Sequence, residues 1–252
     1  MSITVVPVRG LPLVQPGDDL SGLISSAIEK QGITPRSADI VVVAQKMVSK
    51  AERRLVSLDS VTPSARAALL AKEVKRDPRL MELVLRESVE IVRKKPGVLI
   101  VRNKLGIVAA NAGIDQSNIN HDSGEWALLL PKDPDRSAQK IRHELQEHFG
   151  VEIGVVVSDT SHRPWRLGSV AIAIGISGVC GLDDKRGGSD IFGRELHATV
   201  VGRGDAIATA AALVMGESDE RVPPVIVRGM KRGAPTANAR RLLRPIHEDL
   251  FR

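Results

Sequence analysis

Apolar residues along the chain follow two rhythms. Apolar runs bounded by turn residues occupy 40–44, 98–101, 107–110, 153–157 and 225–227, and such runs read as buried strands; residues 3–8 read as a first strand. Residues 199–203 form a further short strand. Residues 20–31 instead place apolar side chains at 20, 23, 24, 27 and 28, and residues 137–149 place them at 138, 141, 145 and 149. Both spacings predict amphipathic helices. Gly32 stands where a helix closes. Asp77-Pro78 and Asp133-Pro134-Asp135 each supply a cap and a first-turn proline. Residues 64–95 are charged and read as helical, and 103–106 joins the runs on either side into a hairpin. Residues 170–179 form a glycine-punctuated apolar segment, 183–194 a polar loop, and 216–220 an acidic loop. Residues 205–215 carry almost no polar face, which predicts a helix buried on most sides. Strands and helices do not alternate regularly and no repeat is visible, so the fold class expected is α+β rather than a doubly wound sheet. One module covers 1–252, with a smaller subdomain around 160–200.

Two of the strand runs lead into acids. The run 107–110 enters Asn111-Ala112-Gly113-Ile114-Asp115-Gln116-Ser117-Asn118, and 153–157 enters Ser158-Asp159-Thr160. A carboxylate at the mouth of a buried strand is held rigidly. With amide or hydroxyl oxygens beside it, it makes the hard oxygen site that Mg²⁺ or Mn²⁺ prefers, usually completed by phosphate. Either aspartate alone is as simply a helix cap or a turn acid. Together, with Asn118, Thr160 and a third acid at Glu217, they point to metal-assisted phosphate chemistry. Lys50 follows the run 40–44, one helical turn after Lys46. It can meet phosphate as a point charge or lie along the surface. Arg163, Trp165 and Arg166 suit an anionic group joined to a planar ring; the alternative is a structural loop around one buried tryptophan.

Familiar nucleotide motifs are absent. No Walker A pattern occurs, and in the glycine run 175–181 Ser177 stands where a dinucleotide fingerprint needs its second glycine. The fold is therefore neither Rossmann nor P-loop, and those glycines read as sites of close backbone packing. His121, His143, His148, His162, His197 and His247 form no metal-binding pair at helical spacing, and Cys180 reads as a core thiol.

The 252 residues suffice for a proper core. A single cysteine excludes an internal disulfide and fits a reducing compartment. The N-terminus shows no signal-peptide pattern, and 206–216, the longest uncharged helical stretch, is too short for a bilayer. A cytoplasmic protein without membrane contact is expected. The net charge of +6 suits nucleic acid or small anions. There is no tyrosine, and Trp126, Trp165, Phe149, Phe192 and Phe251 are scattered, which offers no base-stacking platform. Small anionic substrates are favoured over nucleic acid, and the basic stretch 228–244 reads as a solvated face.

At this point the chain resembles, over nearly its whole length, the coenzyme F420-0:γ-glutamyl ligase family. The resemblance runs through Pro7-Val8-Arg9-Gly10-Leu11-Pro12-Leu13, Pro16-Gly17-Asp18-Asp19-Leu20 and Val48-Ser49-Lys50-Ala51-Glu52. It continues through 111–118, Leu128-Leu129-Leu130-Pro131, Asp133-Pro134-Asp135 and Ser158-Asp159-Thr160. Arg163-Pro164-Trp165-Arg166, Gly175-Ile176-Ser177-Gly178, Phe192-Gly193-Arg194-Glu195-Leu196, Met215-Gly216-Glu217 and Val227-Arg228-Gly229 complete it. The resemblance implies a two-part α+β fold, a homodimer, and a GTP-dependent joining of L-glutamate to F420-0, with a further γ-linked addition. It implies Mg²⁺ or Mn²⁺, with K⁺ as a further candidate, held by Asp115, Asp159, Thr160 and Glu217. Asp115, Asp159 and Lys50 become the catalytic candidates. Nucleotide contacts are implied at Leu11, Pro12, Leu13 and Val14, at Gln45, Lys46 and Lys50, at Asn118, and at Met215, Gly216, Glu217, Ser218, Asp219, Glu220, Arg221 and Val222. Arg163, Trp165 and Arg166 as contacts to the deazaflavin substrate follow from their chemistry alone.

The chain departs from the family at Gln45-Lys46, where some archaeal members carry a hydroxyl pair, and at Ala206, where many read Glu after Asp205. Actinobacterial relatives fuse this module to a nitroreductase-like domain, so the chain is expected to be a stand-alone ligase or an excised module. Two alternatives stay open: a ligase of the same mechanism acting on another acid, and a nucleotide-binding relative without the chemistry.

Overall fold

In chain order the elements are β1 (Thr4–Pro7), α1 (Leu20–Lys30), β2 (Ile40–Ala44), α2 (Gln45–Ala51), β3 (Leu55–Ser57), α3 (Ala65–Val74), α4 (Pro78–Arg86), β4 (Ser88–Lys95) and β5 (Val98–Asn103). There follow β6 (Val108–Ala110), β7 (Trp126–Leu128), α5 (Pro134–Phe149), β8 (Gly154–His162), β9 (Ser169–Ser177), β10 (Leu182–Asp184), β11 (Val200–Gly202), α6 (Arg203–Met215) and β12 (Pro224–Arg228). The structure, a computed structural model, describes residues 2–119, 121, 124–218, 220, 222–231 and 233–250. The architecture is α+β, and the chain divides into two units.

The first unit comprises Met1–Leu13, Asp19–Val48 and Asp133–Leu242. Its sheet has the order β1-β12-β2-β8-β9. Only β2 and β8 run parallel, with Ile40 opposite Gly154 and Ala44 opposite Ser158. Those two strands are the uninterrupted Val/Ile runs of the sequence, and burial on both faces explains why they lack alternation. One face packs on α6. Val42, Val156, Ala171, Ala173, Ile176, Val225 and Val227 meet Ile207, Ala208, Ala211 and Met215 in one core. Each fully buried aliphatic side chain there contributes about 1.5–3 kcal/mol. Asp133 caps α5 by accepting from the Arg136 N–H at 3.0 Å, as its sequence position predicts. A Cβ on Gly175 would stand 2.2 Å from the Pro134 carbonyl oxygen. The glycine run is therefore a place of close backbone approach between β9 and α5.

The second unit comprises Val14–Asp18, Ser49–Lys132 and Leu243–Arg252. It holds the sheet β4-β5-β6, the pair β3-β7, and helices α3 and α4. Leu70, Val74, Met81, Val84, Leu99, Val101 and Leu129 lie in its core. Ser64 caps α3 through the Ala67 N–H, and Asp77 caps α4 through the Arg79 N–H.

Several expectations are corrected. The helical segment over 64–95 ends at Arg86, and Ser88–Lys95 is strand β4, paired antiparallel with β5. The β-branched Val89, Ile91 and Val92 favour the extended form there. Run 107–110 is a short strand, but it is not buried: Val108 and Ala110 are exposed. Helix α6 buries one face rather than most of its surface, since Leu213 is 85% exposed. The start of 183–194 lies in β10, which pairs with β11 as a hairpin. Cys180 is half-buried, its thiol donating to the Leu182 carbonyl, rather than a core thiol. Among the described residues no helix is long and apolar enough to cross a membrane.

Candidate active site

In the first unit, β8 does not stop at Asp159. The strand continues to His162, but its burial ends there: 154–158 are buried, Asp159 is half-buried and Thr160 is exposed. The apolar run thus delivers Asp159 where the core opens to solvent. The Thr160 hydroxyl donates to Glu217 Oε2 at 2.8 Å. Glu217 reaches that place because α6 ends at Met215 and Gly216 turns the chain with φ 72° and ψ 177°, a conformation that essentially only glycine adopts. A Cβ at Gly216 would fall 1.9 Å from the Glu220 carboxyl carbon. The Glu220 carboxylate accepts from the Ser218 N–H at 2.9 Å and the Ser218 hydroxyl at 3.1 Å. The backbone bond to Ser218 holds its pKa below the usual range.

Ligands of an octahedral cation at about 2.1 Å stand about 3 Å from one another. The Thr160 and Glu217 oxygens, 2.8 Å apart, fit that spacing. Among the described residues, however, no group of three or more His, Cys, Asp or Glu is placed to hold a metal ion.

Other predicted residues of this unit sort by burial. Leu13 is 68% exposed and Gln45 is 2% exposed. Met215 and Val222 pack in the α6 core, which leaves their backbone rather than their side chains for a nucleotide. Leu11 and Lys46 are half-buried, and Pro12 is exposed. At the β8–β9 turn, Trp165 is 86% exposed with φ 65°, so the buried-tryptophan reading is overturned. Arg166 beside it is exposed. Arg163 Nη2 donates to the Leu167 carbonyl at 3.2 Å, while its Nε is buried without a hydrogen-bond partner. Asp219 and Arg221 lie outside the described residues.

In the second unit, Asp115 follows a left-handed turn rather than a buried strand. Asn111, Ala112 and Gly113 have φ of 49°, 60° and 78°. Asp115 then exchanges both backbone bonds with Leu128, at 3.0 and 2.8 Å. Its Oδ1 accepts from the Ser117 N–H at 2.7 Å and its Oδ2 from the Ser117 hydroxyl at 3.0 Å. This is the turn-acid geometry. Val14 of this unit is buried. Lys50, at the end of α2, donates from Nζ to the Asn118 carbonyl at 2.8 Å, so two predicted nucleotide contacts from distant segments meet. Sequence reasoning missed Ser117, legible as Asp-x-Ser, and the buried Asn103. The Asn103 Oδ1 accepts from the Leu105 and Ile107 N–H groups at 3.0 Å each, holding the β5–β6 turn.

Residues 10–229 match the family described as F420-0:gamma-glutamyl ligase. The chain is 44% identical over 254 residues to the coenzyme F420:L-glutamate ligase of Methanothermobacter thermautotrophicus, covering 100% of both chains. The like-named protein of Methanopyrus kandleri is 44% identical, with 100% of this chain and 98% of that one covered. That of Archaeoglobus fulgidus is 41% identical, with 100% and 97% covered.

Proposed function

Since the chain belongs to the F420-0:gamma-glutamyl ligase family, we propose that it joins L-glutamate to F420-0 with GTP as phosphoryl donor, in the cytoplasm. A carboxylate is a poor acyl donor because oxide is a poor leaving group. In the proposed reaction a carboxylate oxygen of F420-0 attacks the γ-phosphorus and GDP leaves, giving an acyl phosphate. The glutamate amine then attacks the acyl carbon, phosphate departs, and the amine loses a proton. A further γ-linked glutamate follows by the same steps.

Asp115, Asp159, Thr160 and Glu217 are the proposed ligands of Mg²⁺ or Mn²⁺, and K⁺ is a further candidate. When bound, such ions neutralise charge building on the phosphate oxygens. Lys50 adds a point charge for phosphate, and Asn118 is its neighbour in the nucleotide site. Leu11 to Val14, Gln45, Lys46 and Met215 to Val222 are proposed for the rest of the nucleotide. Arg163, Trp165 and Arg166 offer the deazaflavin a cation pair and an exposed ring. The proposed homodimer has support in the β10–β11 hairpin, which leaves Ile191 at 92% and Phe192 at 89% exposure, more apolar surface than a hairpin tip ordinarily shows water.

The observation that carries the reading is the meeting of the Thr160 and Glu217 oxygens where β8 leaves the core. GDP release, measured with F420-0 and glutamate each omitted in turn, tests it. Release should need F420-0, and amide formation should need both. Release without F420-0 but with another acid identifies a ligase of different substrate, and no release a nucleotide-binding relative. D115N and D159N should each abolish turnover; normal rates in either would dismiss the metal site.

A further inference from the structure

Strand β9 is the edge of its sheet, and its pairing with β8 slips by one residue beside the candidate site. Val157 faces Gly175, but Ser158 faces Ala173, so Ile174 is an extra residue in a bulge. Beyond the bulge Asp159 pairs with Ile172 and Thr160 with Ala171. Bulges bend and twist a strand and re-aim what lies opposite. An edge strand with an interrupted ladder has backbone groups that need partners.

Helix α6 supplies them on both sides of Ile172. Asp205 Oδ1 accepts from the Ala173 N–H at 2.9 Å. The Thr209 hydroxyl donates to the Ala171 carbonyl at 2.7 Å. Asp205 and Thr209 are four apart on one helix, so they lie on one face. The residue opposite Asp159 is thereby gripped before and behind by a single rigid element. The same helix runs on to Met215 and Gly216, after which Glu217 meets Thr160. Burial raises the pKa of Asp205, as expected of a carboxylate held against backbone rather than in water. Ala206, where many family members carry Glu, is exposed and takes no part in this grip.

We propose that Asp205 and Thr209 are positioning residues: they lock the bulged strand under Asp159 and set the separation at which Thr160 and Glu217 present their oxygens. The inference rests on the metal reading of Asp159, Thr160 and Glu217. It concerns how the first unit shapes those ligands, not contact with substrate.

The test compares T209V, D205A, D205N and D159N in the full chain. Mn²⁺ binding is followed by the electron paramagnetic resonance of free Mn²⁺ in the presence of GDP, together with KM values and melting curves. Partners that orient ligands typically change metal affinity by about 10–100-fold. T209V, which keeps shape and loses the donor, and D205A should each weaken Mn²⁺ binding about tenfold, with KM for F420-0 and glutamate unchanged. D205N keeps an acceptor oxygen and should restore binding. A lowered melting temperature with unaltered Mn²⁺ affinity in T209V and D205A would reduce both residues to scaffolding and overturn the proposal, provided D159N still loses metal. D159N binding Mn²⁺ and turning over normally would remove the site itself and the proposal with it. Should D205A not fold, T209V and D205N decide the matter by the same readout.

Discussion

The hydroxyl of Thr160 donates to the carboxylate of Glu217 at 2.8 Å across 57 residues of sequence. Neither group needs the other for folding, since Thr160 and Glu217 are both exposed. These are two of the four oxygen donors proposed above to hold the cation. E217Q and T160V should therefore lower kcat rather than stability. Lewis-acid stabilisation of a transferring phosphoryl group amounts to several kcal/mol, so E217Q should cost about 10²-fold or more in kcat. Steady-state assays across a Mn²⁺ titration check this, and a melting curve unchanged from the parent should accompany it.

Gly216 is the hinge on which that meeting depends. Replacing it with alanine imposes φ 72° on a residue with a Cβ, and that Cβ would meet the Glu220 carboxyl carbon at 1.9 Å. Strain of this kind costs about 1–3 kcal/mol. G216A should lose that much in urea unfolding and also lose activity, because Glu217 is displaced. Wild-type turnover in G216A would mean that the turn need not be held as it stands.

In the second unit, Glu82 accepts from the Ser64 hydroxyl and the Ser64 N–H, which with Arg86 brings its pKa down to about 2. A carboxylate depressed in the folded state stabilises fully above its unfolded pKa of about 4.3. That stability fades as pH falls toward about 2. Ser64 also caps α3, so S64A should cost about 1 kcal/mol at neutral pH. Its stability should fall less steeply than the parent's between pH 4.5 and 2, as urea midpoints at several pH values would show. Parallel curves would assign the depressed pKa to Arg86 instead.

Trp165 holds a left-handed backbone while 86% exposed, which is costly for a bulky side chain and points to use. W165A, R163A and R166A should raise KM for F420-0 more than KM for GTP. Equal effects on both substrates would count against a deazaflavin contact.

How far the sequence could be read depended on range. Strand β2 coincides with its apolar run, and the Asp77 and Asp133 caps sit where Asp-Pro announced them. Those signals are local. Residues 88–95 misled because charges separate their β-branched positions, and only pairing with β5 makes the segment a strand. Asp159 and Lys50 each follow a buried run, as their positions in the sequence suggest, while Asp115 does not and is held instead by Ser117 and Leu128. The bulge at Ile174, the grip of Asp205 and Thr209, and the Thr160–Glu217 bond were invisible. They arise from register between distant segments, which no local hydrophobic pattern encodes.

The order β1-β12-β2 has a consequence for biosynthesis. Among the described strands β1 pairs only with β12, which is made long after it. At about 5–20 residues per second, that partner arrives on the order of tens of seconds later. Throughout the interval a Val-rich nascent segment at 40–44 shows a bare flank to the cell, so translation speed and chaperone supply, more than final stability, should govern how much usable protein a host produces.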